Sequence, residues 1–467
     1  MFRYRLLASI VLPFVVLRLL LRCATGAERP SDLRERLGRS APRRVPNPGP
    51  NPAPVIWLHA ASNGELASAH RLVTAMLDRL ADLQLVVTTN TTSARSLARG
   101  FGHPRLRAVL APLDNRAAVS AFLAGWRPRA LVTIEGELWP NRFDLCRSRG
   151  IPVVLAGARL SGRTARAWSR RPALAARVIE AVRFLSAQDE ASEGRFRGLG
   201  LAADRIGPVV SLKAVTTFPG AVPGAVTAIA GPPPAVEGLL PFPRSLTVLA
   251  ASTHAGEEEM VLDAFLAARK QRPGLRLILA PRHPRRRSGI EASLRARGLT
   301  FRVRSAGHEP AADASVYLAD TMGEMPRWYA AAGMTFVGGS LVERGGHTPF
   351  EPAAQGSAIL HGPHVANFAD AYAALDAASG AVRVTDAASL GGWLAALAEP
   401  ARQAAMSRAA ARALADFAGE DRFEALLAAL ARVTGLPALG RAEGSAGLPG
   451  SPRPDPCHPA PPHAEAR

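Results

Sequence analysis

Short apolar runs followed by helix-period segments recur in two series along this chain, and a break rich in Pro, Gly and Ala at 218–243 separates them. Such runs, too continuous to alternate between a wet and a dry face, suit strands buried on both sides, and strands linked through helices pair in parallel. The first series predicts strands over 55–60, 85–89, 108–111, 130–134 and 152–156, with helices over 66–80, 93–99 and 116–123. The second predicts strands over 246–250, 275–280, 300–303, 334–337 and 358–360, with helices over 257–272, 290–297, 325–332 and 352–355. Two doubly wound α/β units follow, expected over 55–217 and 245–435, with a linker over 218–244. Their strand C-terminal ends should frame a cleft, the usual ligand site of such sheets.

The chain has 467 residues and 48% hydrophobic composition, enough for two packed cores. Its formal charge of +19 calls for an anionic partner: nucleic acid, a membrane surface or a phosphorylated substrate. Nearly all the positive charge is arginine, Lys213 and Lys270 being the only lysines. Aromatic residues are 6% and do not interleave with the arginines, so nucleic acid is not an expected partner. Cys23, Cys146 and Cys457 form no C-x-x-C pair, which argues against a disulfide framework or a structural zinc site.

Arg3 and Arg5 lead into an apolar run over 6–21 that Pro13 and Arg18 interrupt, with Arg22 behind it. Residues 1–24 are expected to form a retained membrane anchor or an interfacial helix, since arginines on both sides suit anionic headgroups. A charged, Pro-rich linker is expected over 25–54 and a disordered tail over 436–467.

Several acidic and basic groups fall just past predicted strands. Glu65 lies on the Gly64 turn after the first strand, where a carboxylate could take a proton from a substrate hydroxyl, although from the residues alone a helix N-terminal role satisfying the dipole and local amides is the stronger expectation. Glu135 and Glu137 close the fourth strand beside Trp139, for which a core role is expected. In the second unit, Ser252, Thr253 and Glu257 to Glu259 fit a helix cap with an acidic first turn, which leaves His254 over for the cleft. Pro281 and Arg282 end the next strand and present a guanidinium to a phosphate, while the run Arg285, Arg286, Arg287 reads as a solvated face. Asp320, Thr321, Met322, Gly323 and Glu324 offer a glycine turn suited to backbone contact with a base or ribose.

Residues 336–352 contain Gly338-Gly339 and Gly345-Gly346, then His347, Thr348, Pro349, Phe350 and Glu351. Glycines let backbone N–H groups approach a ligand, and the helix start behind them suits an anion, so this stretch is expected to cradle a phosphate while Glu351 accepts hydrogen bonds from ribose. No Asp-x-Asp, no G-x-x-x-x-G-K-[ST] and no G-x-G-x-x-G opening either unit is present, which disfavours a metal-bound nucleotide sugar and ATP hydrolysis.

Taken in order, these motifs resemble the Kdo (3-deoxy-D-manno-octulosonic acid) transferases of lipopolysaccharide synthesis. The matching stretches are His59 to Glu65, Thr88-Thr89 with Thr91-Thr92, Glu137 to Asn141, Ala158 to Ser161, Ala251 to Glu259, Pro281 to Pro284, Asp320 to Glu324, 336–352, and Gly362-Pro363-His364 with Asn367-Phe368. The resemblance implies a GT-B fold of two Rossmann-like domains with an N-terminal membrane-associating helix, at the cytoplasmic face of the inner membrane. It implies transfer of Kdo from CMP-Kdo to a lipid A precursor, inverting and with neither metal nor other cofactor. Glu65 would be the general base, with Glu137 and Lys213 supporting the transition state or the substrate carboxylate. Pro281, Arg282, Met322, Gly323, Glu324 and residues Gly346 to Glu351 would hold CMP. A GT-B enzyme with another donor or acceptor, and a non-catalytic lipid A binding relative, stay open as alternatives. The chain departs from the family pattern at Asn63, where it usually has Val, at Gly136 and Thr348, where it has Thr and Asn, and at Ser211, where it has Asn.

Overall fold

The computed structural model describes residues 1–26, 28–41, 53–217 and 240–440. The first unit is a six-stranded sheet of β1 (Val55–His59), β2 (Gln84–Thr89), β3 (Leu106–Leu110), β4 (Ala130–Ile134), β5 (Val153–Ala158) and β6 (Val182–Ala187), in the order β3-β2-β1-β4-β5-β6. The second is seven-stranded: β7 (Thr247–Thr253), β8 (Arg276–Pro281), β9 (Phe301–Val303), β10 (Val316–Leu318), β11 (Met334–Val337), β12 (Ala358–His361) and β13 (Ala381–Arg383), in the order β13-β12-β11-β7-β8-β10-β9. Every pairing is parallel, as expected for apolar runs linked through helices.

Each sheet is buried on both faces. Ile56 and Leu58 of β1 point into one layer and Trp57 into the other, so a strand without polar alternation still serves two cores. β6, β10 and β13 add strands beyond those expected. β6 begins at the residue after helix Pro172–Ala181, with no turn residues between them to mark it, and the other two are only three residues long.

The structure departs from the expected boundaries in four places. The helix expected over 66–80 is two, Asn63–Ser68 and His70–Arg79, with Ala69 ending one and starting the other. Within the expected linker over 25–54, helix α2 (Pro30–Arg36) packs on the first sheet, where Asp32 and Glu35 both receive Arg95 at 2.7 and 2.6 Å. Residues 42–52 of that linker, 218–239 of the next and 441–467 of the tail lie outside the described residues. Helix Glu420–Thr434 was expected with the second unit but belongs to the first. Its Phe423, Leu426, Leu427 and Leu430 join the core of Ile56 and Leu58, and Glu420 and Glu424 each bind an arginine of that unit, Arg71 and Arg79, at 2.5 Å. Residues 436–440 continue this packing with Leu436 and Leu439 buried, so the expected disordered tail does not begin there. An apolar stripe shows that a helix is packed, but not which of two cores receives it.

Helix Leu212–Thr217 sits between the units. Leu212 and Val215 enter the first core and Ala214 the second. The two C-terminal sheet edges face each other across it: Gln188, which follows β6, donates to the Asn367 carbonyl beyond β12 at 3.4 Å. The N-terminal helix, α1 (Phe2–Ala24), is long and apolar enough to cross a membrane.

Candidate active site

On the first sheet edge, the end of β1 carries His59, which is fully buried. Thr88 accepts from Trp57 Nε1 at 2.7 Å and donates to His59 Nδ1 at 2.9 Å, leaving Nε2–H to donate to Glu137 Oε2 at 3.0 Å. That tautomer satisfies every partner. Burial, and then the Arg142 charge, push the imidazole pKa down to about 4, so it stays neutral. Glu137 also accepts from Trp139 Nε1 at 2.7 Å and from Asn90 Nδ2 at 3.0 and 3.1 Å. Burial opposes its charge, but these donors outweigh that cost and hold the carboxyl pKa at about 2. Trp139 is therefore not the core residue expected: it is partly exposed and serves as a donor to Glu137.

Glu65 is in the opposite state. Its Oε2 accepts from the Ala61 N–H at 2.6 Å, and Ser62 caps the same helix turn through the Glu65 N–H at 3.3 Å, so the capping role and the cleft position coexist. Burial first, then the charges of Glu135 and Glu137, raise its pKa to about 7. A carboxylate poised at neutral pH is suited to general-base work.

Glu135 stands in the left-handed region at φ 60, which an L residue tolerates only where its surroundings enforce it. Arg159 N–H binds its carbonyl at 2.5 Å, and Lys213 Nζ lies 3.7 Å from its carboxylate. Lys213 also sits 5.2 Å above the Phe368 ring of the second unit, so the expected site lysine bridges both sides of the cleft. The departure at Gly136 has a local cause: a Cβ there would stand 2.7 Å from the Arg159 carbonyl oxygen.

The second sheet edge corrects the phosphate cradle. The N–H groups of Gly339, Ser340 and Leu341 do converge, but on the Glu257 carboxylate, at 2.7, 3.0 and 2.9 Å, and the His254 N–H joins them at 2.9 Å. Glu257 is fully buried and occupies the nest a phosphate would need. Its role exceeds the helix cap read from the sequence. The consequence is a fixed loop that presents His347 to His254, Nε2 to Nε2 at 3.0 Å, one imidazole donating to the other. Burial first, then the neighbouring His254 and Arg282, hold His347 at about 4, and burial lowers His254 as well, so the pair is neutral. Ser252, at φ 56 in the irregular end of β7, turns the chain so that His254 reaches this position.

Arg282 is exposed at the end of β8, and among the described residues it has no carboxylate within ion-pair distance. Its neighbours in the basic run differ from the solvated face expected: Arg286 binds the buried Glu258 at 2.8 Å and Arg287 binds Glu291 at 2.6 Å, leaving Arg285 exposed. Pro281 is buried in the strand end. Met322 is 57% exposed on the loop after β10, beside Gly323 at φ 91, whereas Glu324 is committed to Arg304 at 2.7 Å and to the Thr321 hydroxyl.

In the last stretch Pro349 and Phe350 are buried, Phe350 packing in a core with Tyr372. Thr348 Oγ1 accepts the Phe350 N–H at 3.4 Å, a turn contact. Glu351 stands exposed in the first turn of helix Phe350–Ala354. Gly346 is buried, its carbonyl accepting from Asn367 Nδ2 at 3.0 Å.

The structure thus brings Glu65, Glu137 and Lys213 to one edge and Arg282, His347, Thr348 and Glu351 to the other, while Glu324, Pro281 and Phe350 support their own loops. Sequence reasoning passed over Asn90, the linking role of Arg159 and Asn367, and the nest-filling Glu257. Asn90 directly follows Thr88-Thr89, which was the available signal.

The family model described as "3-Deoxy-D-manno-octulosonic-acid transferase (kdotransferase)" matches residues 31–216. The chain is 37% identical over 402 residues to the 3-deoxy-D-manno-octulosonic acid transferase of Bordetella pertussis, covering 83% of this chain and 89% of that one. It is 31% identical over 334 residues to the Haemophilus influenzae protein of the same name, covering 71% and 76%. Among solved structures, Anabaena Alr3699/HepE in complex with UDP-glucose superposes with a TM-score of 0.53 at 13% identity, over 80% of this chain and 99% of that one, a likeness of fold.

Proposed function

This chain belongs to the 3-deoxy-D-manno-octulosonic acid transferase family and is a Kdo-transferring glycosyltransferase, and from that premise we propose that it moves Kdo from CMP-Kdo to a lipid A precursor of the lipid IVA type, with inversion and Glu65 as base, in lipopolysaccharide synthesis at the cytoplasmic face of the inner membrane. The observation that carries the base assignment is the contrast between two carboxylates on one sheet edge: Glu137 accepts from His59, Asn90 and Trp139 and is held in its charged form, while Glu65 accepts only from the Ala61 N–H and the Ser62 hydroxyl and its pKa is raised by burial and by Glu135. Environments that push paired carboxyl groups apart assign their roles.

In this reading Glu65 takes the proton of an acceptor hydroxyl as that oxygen bonds the anomeric carbon of Kdo. The bond from that carbon to the CMP phosphate oxygen breaks on the opposite face, CMP leaves with the electron pair, and the proton ends on Glu65. Glu137, held by His59, Asn90 and Trp139, fixes the edge next to Glu65. Lys213 meets the sugar carboxylate between the two units. The phosphate is assigned to Arg282 and the ribose to Glu351, and no metal or other cofactor takes part in these steps.

The test is turnover of purified protein with CMP-Kdo, generated in the assay, and lipid IVA, read by mass spectrometry of the lipid product. Wild-type protein yields a Kdo-bearing lipid with the anomeric configuration inverted, and Glu65→Gln yields none while still binding CMP. Product from Glu65→Gln at the wild-type rate overturns the base assignment, and no product from wild type overturns the acceptor or donor.

A further inference from the structure

The N-terminal helix α1 holds the least explained surface of the molecule. Its exposed side chains include Phe2, Leu6, Leu7, Ile10, Val11, Phe14, Leu17, Leu20 and Leu21, an apolar face far too continuous for water. Its length and composition suit a membrane span equally well. Spanning would put its two ends on opposite sides of a bilayer, roughly 30 Å apart.

Both ends instead bind the first unit. At the start, Tyr4 OH donates to Asp114 Oδ2 at 2.8 Å, and Arg5 binds Asp144 at 2.5 Å and Asn141 at 3.4 Å. At the finish, Arg22 binds the buried Glu28 at 3.1 Å, Glu28 binds Arg36 of α2 at 3.2 Å, and Arg36 donates to the Asn90 carbonyl at 3.3 Å. Asp114 lies just beyond β3 and Asn90 just beyond β2, which are neighbouring strands, so one sheet edge receives both ends. Between them Tyr4, Ala8, Leu12, Val15, Leu19 and Cys23, spaced by three and four, form the partly or fully buried stripe.

From this geometry we infer that α1 lies in the plane of an anionic phospholipid surface, with both ends on the protein's side, and does not cross the bilayer. Charge favours that occupant over a second copy of this basic chain. α1 contains no acidic residue, and Arg3, Arg18 and Arg22 stand exposed among its apolar side chains. Helix Gly162–Ser169 and the turn after it add exposed Arg163, Arg166, Arg170 and Arg171. They adjoin helix Pro172–Ala181, whose Arg177 shares Asp144 with Arg5. Apolar area plus cationic flanks is the signature of interfacial binding.

This places the bilayer surface beside the residues that hold Glu137, since Asp114 also caps helix Pro140–Ser148 through the Asn141 and Arg142 N–H groups, at 3.0 and 2.7 Å, and Asn90 binds Glu137 directly. A lipid-borne acceptor would then reach the carboxylates without leaving the membrane. The inference concerns topology and does not rest on the acceptor proposed above.

The test uses the full chain in membranes of a Gram-negative host, with Cys23 and Cys457 replaced by Ser and the buried Cys146 kept. Phe2→Cys, at an exposed site where the fold is not at stake, is treated with a membrane-impermeant maleimide. Labelling only after the membranes are dissolved in detergent supports the in-plane helix, whose apolar face carries position 2 into the lipid, and labelling in intact spheroplasts overturns it. A Tyr4→Cys, Asp114→Cys pair should be joined by a short bismaleimide in the membrane-bound protein; a spanning helix gives no such link. Purified protein should float with vesicles containing phosphatidylglycerol and not with phosphatidylcholine alone, and Phe14→Glu should weaken partitioning by roughly tenfold or more. Equal flotation with both vesicles, or dimers that mask position 2 in place of flotation, rejects the anionic surface.

Discussion

Arg159, at the end of β5, donates a hydrogen bond across the cleft to the side-chain oxygen of Asn367 beyond β12. Both partners hold site loops. The Arg159 backbone fixes the left-handed Glu135, and the Asn367 amide donates to the carbonyls of Arg344 and Gly346 at 3.0 Å each. A Cβ on Gly345 would meet Asn367 Oδ1 at 2.6 Å, so the loop closes around this one side chain. The two facing sheet edges are therefore linked through one pair.

Removing either partner should uncouple the units without unfolding them. Arg159→Ala is expected to lower kcat/KM by roughly ten- to hundredfold and to raise the radius of gyration in solution scattering. Asn367→Ala should do both more strongly because it also frees the glycine loop. The double variant should lose less than the sum of the two. Additive losses with unchanged scattering would show that the contact does not link the units.

As the proposed base, Glu65 should set an acidic limb on the pH profile. Its pKa is raised from the usual 4.5 to about 7, and the base must be charged to act, so kcat/KM should climb with pH and level off above about 7. Glu135→Gln removes one charge that raises Glu65 and should move the limb to lower pH. A limb that stays in place in that variant would assign it to another group.

Glu257→Gln should cost about 2–4 kcal/mol of stability, measured by urea unfolding, because an amide cannot accept from four backbone donors and a buried donor left unmatched keeps its desolvation cost. Glu258→Gln, which leaves the loop alone, should retain activity better than Glu257→Gln. The reverse order would remove the loop from the site.

Gly136→Thr restores the residue usual in the family pattern, yet here it should destabilise by about 1–3 kcal/mol and lower activity, since the new Cβ presses on the Arg159 carbonyl. Thermal unfolding and turnover of the variant check this; an unchanged protein would mean that the Arg159 loop shifts freely.

Much of the site was legible because chemistry-bearing residues at strand ends must face the cleft in a parallel sheet. That rule put Glu65, Glu137 and Arg282 at the sheet edges, and the helix start behind the glycines put Glu351 there. It failed at the glycine loop, where sequence shows only that backbone N–H groups converge, and at Trp139, whose polar edge found Glu137 instead of a core. The loop's partner comes from far along the chain, Glu257 being 82 residues from Gly339, whereas Trp139 meets a residue two positions before it and only the burial of the strand end decides which way its ring turns.

The sequence by itself determined the parallel α/β pattern, the two units, the strand-end carboxylates and an apolar, arginine-flanked N-terminus, because periodicity and composition are local and a buried parallel strand has few other ways to exist. Only the tertiary structure decided that helix Glu420–Thr434 returns to the first core, that Glu257 fills the nest, that Glu65 and Glu137 titrate apart, and that both ends of α1 rest on one sheet edge. Each depends on which distant groups share a small volume, and burial and hydrogen bonding act through that volume, whatever the distance along the chain.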